Sequence, residues 1–391
     1  MTRILFFHPD GHPTFRPDVA ILFGKYMTDN GVFCDVVSHA TGQSAVPTEW
    51  QNSALYLARG GKLSRLLFTI QKLVSLRFRD YDAVLVRDMP IIAWLIFIKA
   101  LFARTPFLYW RSFPIALMDL TILKKSWGDI SWLRRAWLAL KGGGGALLER
   151  MLIANSFPAH TFVQSKAMAL EVQGWGANPR NVTAVPMCID PERFPSSIRN
   201  IESTIPRVIY VGACDRPRGV DVMISMLEEL ARRNIHIELA IVGDAQEPAD
   251  REWLRETIKR SPASEKIIFT GWVSTSEVSR HLDMASIAIC LTPVDSIFSV
   301  GSPTKLVEYM ASGLPVIVNE HPDQTDLISS SGGGIISNLS PIDLANSVES
   351  IISDNIARSA MGGAGRSYVL QNRNYVMMSK SVAEVIRHAI V

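Results

Sequence analysis

Cysteine is scarce and scattered in this chain: Cys34, Cys188, Cys214 and Cys290 are the four in 391 residues, with no Cys-x-x-Cys or Cys-x-x-His pair. That spacing argues against a disulfide framework or a cysteine-based metal site and suits a reducing cytoplasm. Long hydrophobic runs are also lacking. The longest uncharged apolar stretch, Met89 to Ile98, covers only about half of the roughly 20 residues a membrane-spanning helix needs. The first apolar stretch, from Ile4, is broken at once by His8, Pro9 and Asp10, so no signal peptide is expected. Sequence repeats are absent, and low complexity is confined to Gly142 to Gly145 inside an otherwise helical region, 131–151. That tract reads as a flexible connection, with a functional hinge as the alternative. No recognised nucleic-acid module is present.

What is present is enough apolar sequence, 48%, for well-buried domains, in a chain too long for one comfortable core. The net charge of +3 conceals an asymmetry. Residues 1–195 carry 22 lysines and arginines against 14 acidic residues, a net of +8, and the remainder carries 18 against 23, a net of −5. A basic half of that size suits nucleic acid, anionic lipid or a phosphorylated substrate. Short apolar runs alternate with longer helical patterns, the signature of βαβ units. Strands are expected near 3–7, 33–37, 83–86, 106–109, 161–164 and 182–185, then near 208–211, 235–242, 266–269, 287–290, 316–318 and 334–336. The aperiodic segment PSSIRNIESTIP separates the two series. The expected organisation is an α/β fold with two doubly wound, Rossmann-like parallel-sheet domains facing a central cleft. Residues 1–195 form the first, 196–206 the linker and 207–370 the second, with a C-terminal helix, 371–391, packing back on the first.

The most informative stretch is SPTKLVEYMASGLPVIV, residues 302–318. Pro303 suits a helix start, Gly313 a helix stop, and Val316 to Val318 a buried strand. An anion at such a helix start, against Pro303 and Thr304, would meet free backbone N–H groups and the positive end of the macrodipole. Lys305 and Glu308 share a face, about 4.5 Å apart along the axis at 1.5 Å per residue. Two readings stay open on spacing alone: a solvated i,i+3 pair, or a clamp in which Lys305 takes the phosphates of a nucleoside diphosphate and Glu308 its ribose hydroxyls. A second segment, VIYVGACDRPRGVD from Val208, places Gly212 at a strand end before Arg216 and Arg218, whose guanidinium groups match phosphate oxygens bidentately. A third, FTGWV from Phe269, closes a strand on a glycine turn where Trp272 and Val273 would flank a base; a lone Trp is otherwise a packing residue.

Together these segments resemble the retaining glycosyltransferases of family 4, which have the GT-B architecture, over nearly the whole chain. SPTKLVEYMASGLPVIV carries most of the likeness; VGACDRPRGVDVMI, IIFTGWVSTSEV and VTAVPMCIDPERF add to it, the last looking like the family's interdomain segment with Asp190 and Phe194 in place. The resemblance implies that Glu308 binds the donor ribose, Arg218 grips the diphosphate and the Trp272–Val273 turn holds the base. Three departures mark a subgroup. Val300 stands where paired-glutamate members have their first glutamate, Ala213 where an arginine often follows Gly212, and Trp110-Arg111-Ser112-Phe113-Pro114 where a histidine is often found. Arg218, Lys305 and Arg111 are the residues expected to serve the reaction; no metal and no cofactor beyond the donor are expected.

The basic first half carries two candidate membrane-facing segments. Gly61 to Arg79 places Leu63, Leu66, Leu67, Ile70, Leu73 and Val74 at helical spacing among Lys62, Arg65, Lys72, Arg77 and Arg79, and reads first as an amphipathic core helix. Leu123 to Lys141 sets Lys124, Lys125, Arg134, Arg135 and Lys141 among Trp127, Trp132 and Trp137, which suits an anionic bilayer surface better than nucleic acid. The expected activity is hexose transfer from a nucleotide-diphosphate sugar to a lipid-linked saccharide acceptor at the inner face of the cell membrane, for bacterial surface polysaccharide. Inverting chemistry would require a base, for which His8, Asp10 and His12 are available. The competing classes are a nucleotide-sugar epimerase of the same fold and a non-catalytic nucleotide-sugar-binding subunit.

Overall fold

In the computed structural model, residues 1–14, 16–41, 50, 52–125, 131–195 and 205–390 are described. The chain divides into two units, Met1–Cys188 joined by Tyr375–Val391, and Ile189–Asn374.

In the first unit the apolar runs form a seven-stranded sheet of order β3-β2-β1-β4-β5-β6-β7, parallel throughout. Its strands are β1 (Thr2–His12), β2 (Val32–Ala40), β3 (Leu55–Ala58), β4 (Ala83–Arg87), β5 (Phe107–Arg111), β6 (His160–Val163) and β7 (Val182–Ala184). A π-helix, Asp18–Tyr26, runs into α1 (Met27–Asp29) and returns the chain from β1 to β2. The other crossovers are α2 (Lys62–Ser75), α3 (Pro90–Ala103), α4 (Ile115–Lys125), α5 (Trp132–Ala139), α6 (Gly145–Ala154) and α7 (Lys166–Gly174). The central strands β4 and β5 are buried at every position, as near-continuous apolar strands of a covered parallel sheet must be.

The second unit repeats the plan with six parallel strands in the order β10-β9-β8-β11-β12-β13. These are β8 (Arg207–Val211), β9 (Glu238–Val242), β10 (Ile267–Gly271), β11 (Ile287–Cys290), β12 (Val316–Asn319) and β13 (Gly334–Ser337). Its helices are α8 (Val220–Arg232), α9 (Pro248–Arg260), α10 (Thr275–Asp283), α11 (Thr304–Ala311), α12 (Pro322–Ser331), α13 (Pro341–Ile352) and α14 (Asn355–Asn372). The strand order reverses between β1 and β4 in one unit and between β8 and β11 in the other, the switch points beyond which ligands of doubly wound sheets bind.

The last helix, α15 (Tyr375–Ile390), belongs to the first unit: Tyr375, Val382, Ala383 and Ile386 share a core with Phe6, Phe23 and Trp110. It begins four residues later than the expected 371, because α14 runs on to Asn372 and Asn374 pairs with Ile189 in a parallel bridge. The same bridge places the start of the second unit at Ile189 rather than after 195. Most of the expected linker, 196–204, lies outside the described residues.

Three expectations change. Strand β3 was not expected; it is a short edge strand of four apolar residues, LYLA, half exposed along most of its length. The glycine tract is not a loose connection. Leu140–Gly144 continue the helix between α5 and α6 with π-type turns, and a Cβ on Gly142 would stand 3.0 Å from the Leu120 backbone nitrogen, so glycine permits α4 to pack close. Finally, α2 is not a core helix: Leu73 alone of its residues is buried, while Leu63 is 69% and Val74 75% exposed.

Candidate functional site

The switch point of the second unit gathers the residues singled out from the sequence. Chain leaving β8 passes Gly212 at φ +130°, a conformation that favours glycine, and reaches Arg218 just before α8. Chain leaving β11 returns through Pro303 into α11, which carries Lys305 and Glu308. Tyr309 ties the two together: its hydroxyl oxygen accepts from the Val211 N–H at 2.7 Å, holding α11 against the end of β8. In consequence the Lys305 ammonium lies 4.0 Å from the centre of the Tyr210 ring, and a Cβ on Gly212 would stand 3.4 Å from Lys305 Nζ. The Arg218 guanidinium stacks 4.8 Å from the Phe298 ring centre, on the loop between β11 and α11. No side chain caps α11, since Pro303 at its N-cap has none able to accept; Leu306 N–H donates to the Pro303 carbonyl at 3.2 Å, and the Thr304 and Lys305 N–H groups are those left to meet an anion.

That loop is held from beneath by buried polar groups. The Asn319 side chain accepts from the Thr292 N–H and donates to the Thr292 carbonyl, at 2.8 and 2.9 Å. Ser302 donates to Asp323 at 2.7 Å, and Asp323 in turn pairs with Arg373 at 2.5 Å. Such a buried, satisfied network fixes where α11 begins and therefore where Lys305 points.

Glu308 sits one turn deeper. Burial pushes its carboxyl above the usual carboxylate range, and Arg193 at 3.6 Å acts against that shift. Lys305 and Glu308 are therefore not a solvated surface pair, because the carboxylate's ionic partner is Arg193, in the segment entering the unit. Val300 is buried, and its side chain has no group that could hydrogen-bond a sugar hydroxyl.

Other expected residues lie elsewhere. Arg216 turns away to Asp250, 3.1 Å off, and over the Trp253 ring at 5.3 Å. Trp272, 54% exposed, and half-buried Val273 follow β10, two strands from β8, where Ser274 and Glu277 form a capping box that starts α10. Arg111 ends β5 in the first unit, fully buried, pairing with Glu149 at 3.2 Å and Glu171 at 2.6 Å and stacking 4.7 Å from Trp175. Tyr109 donates to the same Glu149 at 2.7 Å. The structure thus brings together Gly212, Arg218, Pro303, Thr304, Lys305 and Glu308, and engages Arg111 and Arg216 with carboxylates.

The first unit's own switch point carries a second charged cluster. Arg87 is buried between Asp10, Asp18 and Asp88, with contacts of 2.5, 2.9 and 3.3 Å. Asp88 holds φ +52° and accepts from the Ser112 N–H at 2.7 Å and from its hydroxyl; burial pushes its carboxyl up to about 6 in spite of Arg87. His8 is buried with neither ring nitrogen hydrogen-bonded, Nδ1 standing 4.0 Å from Asp10, and burial first, then nearby Arg87, His12 and His39, drive its pKa well below the usual imidazole value.

Tyr210, Tyr309, Phe298, Asn319 and Arg193 were missed by sequence reasoning. Tyr309 lay within SPTKLVEYMASGLPVIV, Tyr210 within VIYVGACDRPRGVD and Arg193 within VTAVPMCIDPERF, each without a local signal of its role, while Phe298 and Asn319 lay outside the segments singled out.

Residues 205–354, inside the second unit, match the family described as Glycosyl transferases group 1. The amylovoran biosynthesis glycosyltransferase AmsK of Erwinia amylovora is 29% identical over 179 residues, 45% of this chain and 42% of that protein. The GDP-mannose-dependent alpha-(1-6)-phosphatidylinositol monomannoside mannosyltransferase of Mycobacterium tuberculosis is 24% identical over 185 residues, 46% of this chain and 47% of that protein. The chain thus spans less than half the length of these curated relatives. Among solved structures, sucrose-phosphate synthase from Thermosynechococcus elongatus aligns over 99% of both chains at TM-score 0.74 and 15% identity. HepE from Anabaena, solved with UDP, aligns over 99% of this chain and 100% of its own at TM-score 0.74 and 15% identity. These likenesses give the fold, two Rossmann-like parallel-sheet domains of the GT-B kind, as expected from the sequence.

Proposed function

We infer that the protein is a glycosyltransferase that moves a hexose from a nucleotide-diphosphate sugar to a lipid-linked saccharide in bacterial surface polysaccharide biosynthesis. The observation that carries this reading is the convergence of Gly212, Lys305 and the uncapped start of α11 at the switch point of the second unit, with Arg218 on the neighbouring loop. Such a site suits a diphosphate: backbone approaches closely at Gly212, N–H groups meet oxygens at α11, and two cations offset charge. Glu308 takes the ribose hydroxyls once Arg193 gives way. Breaking the glycosidic bond leaves negative charge on the departing diphosphate, and Lys305 and Arg218 stabilise that charge as it develops. The leaving phosphate then accepts the proton of the attacking acceptor hydroxyl on the same face, which retains configuration and requires no protein base. His8 is poorly suited to be that base, since it is enclosed. Trp272, at the end of β10, would pack against the base, with Val273 beside it.

The acceptor reading draws on the first unit. No helix among the described residues is long and apolar enough to cross a membrane. Yet Trp132 on α5 is 72% and Phe102 on α3 78% exposed, with Leu63, Leu67, Leu101 and Trp137 also outward. Lys62, Arg65, Arg134 and Arg135 share α2 and α5 with them, a combination that favours peripheral contact with an anionic bilayer at its cytoplasmic face. Trp127 lies outside the described residues.

The test is acceptor-dependent release of nucleoside diphosphate from a panel of nucleotide sugars, with NMR of the product's anomeric centre. Transfer with retention is expected. Isomerisation of donor without acceptor would instead identify an epimerase, and binding without turnover a non-catalytic subunit.

A further inference from the structure

A cavity of about 710 Å³ opens in the second unit at the carboxyl ends of β12 and β13. Its walls come from Asn319 to Pro322 with Thr325 and Asp326 at and after the end of β12, Ser337 to Leu339 at the end of β13, and Val294 and Ser299 of the loop before α11. It is distinct from the crevice between β8 and β11 and includes none of Gly212, Arg218, Lys305 or Glu308. That volume falls within the range of small-ligand sites, about 300–1,000 Å³.

The polar lining asks for a donor of hydrogen bonds. His321 is 1% exposed and lines the cavity; its Nε2 meets the Phe298 carbonyl at 2.9 Å. A carbonyl only accepts, so the neutral ring carries its proton on Nε2 and leaves Nδ1 as an acceptor. Nδ1 is buried and has no partner, a state that costs free energy until something donates to it. The exposed Glu320 carboxylate, beside it in the lining, makes no ion pair among the described residues and is a second acceptor. Asn338 adds an amide that both donates and accepts, while Val294, Pro322 and Leu339 supply apolar surface. Acceptors at the rim, the exposed Asn338 amide (Asn319 being committed to Thr292) and apolar flanks fit the hydroxyls and the C–H face of a pyranose ring.

We propose that this cavity is a saccharide-binding site, separate from the nucleotide crevice, in which His321 Nδ1 and the Glu320 carboxylate accept hydrogen bonds from the sugar hydroxyls. Its floor bears on the other site. Phe298 receives the His321 hydrogen bond through its carbonyl and carries Arg218 on its ring, so a sugar held at His321 steadies the loop that seats that arginine. The site class rests on the cavity's own donors and acceptors; its use for a glycan during transfer rests on the transferase reading above.

The experiment is saturation-transfer NMR of the full chain with a panel of methyl hexopyranosides, with and without saturating nucleoside diphosphate. At least one glycoside should bind at millimolar concentration, keep its signal in the presence of nucleotide, and lose affinity about tenfold in Glu320→Ala and in His321→Phe. Asn338→Leu, on an exposed position, checks the same site without touching the Phe298 contact and should weaken binding similarly. Absence of binding up to tens of millimolar, displacement by the nucleotide, or binding indifferent to Glu320→Ala and Asn338→Leu would overturn the proposal. Glycoside binding without nucleotide binding would keep it and sink the transferase reading; nucleotide binding alone would do the reverse.

Discussion

Lys305→Met removes one charge from the proposed diphosphate site while keeping the aliphatic stem on the Tyr210 ring, 4.0 Å from the present ammonium. A phosphate resting against Gly212 and the start of α11 would lie near Lys305 Nζ, because a Cβ at Gly212 would already be 3.4 Å from it. At about 4 Å and an effective dielectric near 20, the attraction between unit charges is about 4 kcal/mol. Loss of a positioned donor to developing negative charge typically costs about 2.7–4 kcal/mol of barrier, or roughly 10²–10³ in turnover. Turnover at saturating donor should fall by that factor, and calorimetric titration should show nucleoside diphosphate binding weakened by at least about tenfold. Thermal unfolding should change little, since Lys305 makes no ion pair among the described residues and the lost cation–π contact with Tyr210 is worth about 0.5–1 kcal/mol. Unchanged turnover and affinity would refute the placement of the diphosphate.

Glu308→Gln should weaken nucleoside diphosphate binding about tenfold, consistent with about 1.5–3 kcal/mol for hydrogen bonds to a charged group. A 2′,3′-dideoxy nucleotide should bind the two proteins equally; an equal loss for both nucleotides would remove the ribose role. With its carboxyl held above the usual range by burial, Glu308 gains its proton earlier on acidification, so wild-type affinity should decline toward acid pH and that decline should vanish in the variant. Arg111→Met should destabilise the chain by about 3–5 kcal/mol in denaturant unfolding, because Glu149 keeps a buried charge without its partner. Arg111→Met with Glu149→Leu should recover much of that loss, whereas a stable but inactive single variant would return Arg111 to the chemistry. His8 is held neutral by burial, so the unfolded chain binds a proton near pH 6.5 that the folded chain refuses. Its contribution is present above that pH and is lost below it, at up to about 1.4 kcal/mol per pH unit. His8→Phe, beside the Phe6 ring 5.1 Å away, should therefore lose less stability between pH 7 and pH 5 than the wild type; equal losses would contradict the burial of a neutral ring.

Parallel strands in this chain were legible because central strands of a covered sheet must be apolar at successive positions, as Ala83–Arg87 and Ile287–Cys290 nearly are. Strand β3 was not, since its apolar run, Leu55–Ala58, is only four residues long and a run that short does not by itself distinguish a strand. Within the site, local chemistry announced Gly212, Arg218 and the Lys305–Glu308 helix, whose positions follow from strand ends and helix periodicity. Arg216 differs from Arg218 only through tertiary neighbours: Asp250 and Trp253 capture the first and Phe298 lies under the second. No spacing along the chain encodes those partners. Arg193 reaches Glu308 across more than a hundred residues, so this pair too becomes visible only once the second unit has folded. The outward apolar face of α2 was misjudged because helical periodicity gives the direction of a stripe on a helix, not whether core or solvent lies beyond it.

Donor binding at the β8–β11 switch point is the central claim, and thermal shift of the full chain against uridine, guanosine and adenosine diphosphates tests it most directly. At a hundred times Kd, one ligand should stabilise the protein by about 2.7 kcal/mol, and at the same concentration a tenfold loss of affinity in Lys305→Met should cut that to about 1.4 kcal/mol or less. A melting temperature unmoved by all three, or a shift undiminished in Lys305→Met, would contradict the account.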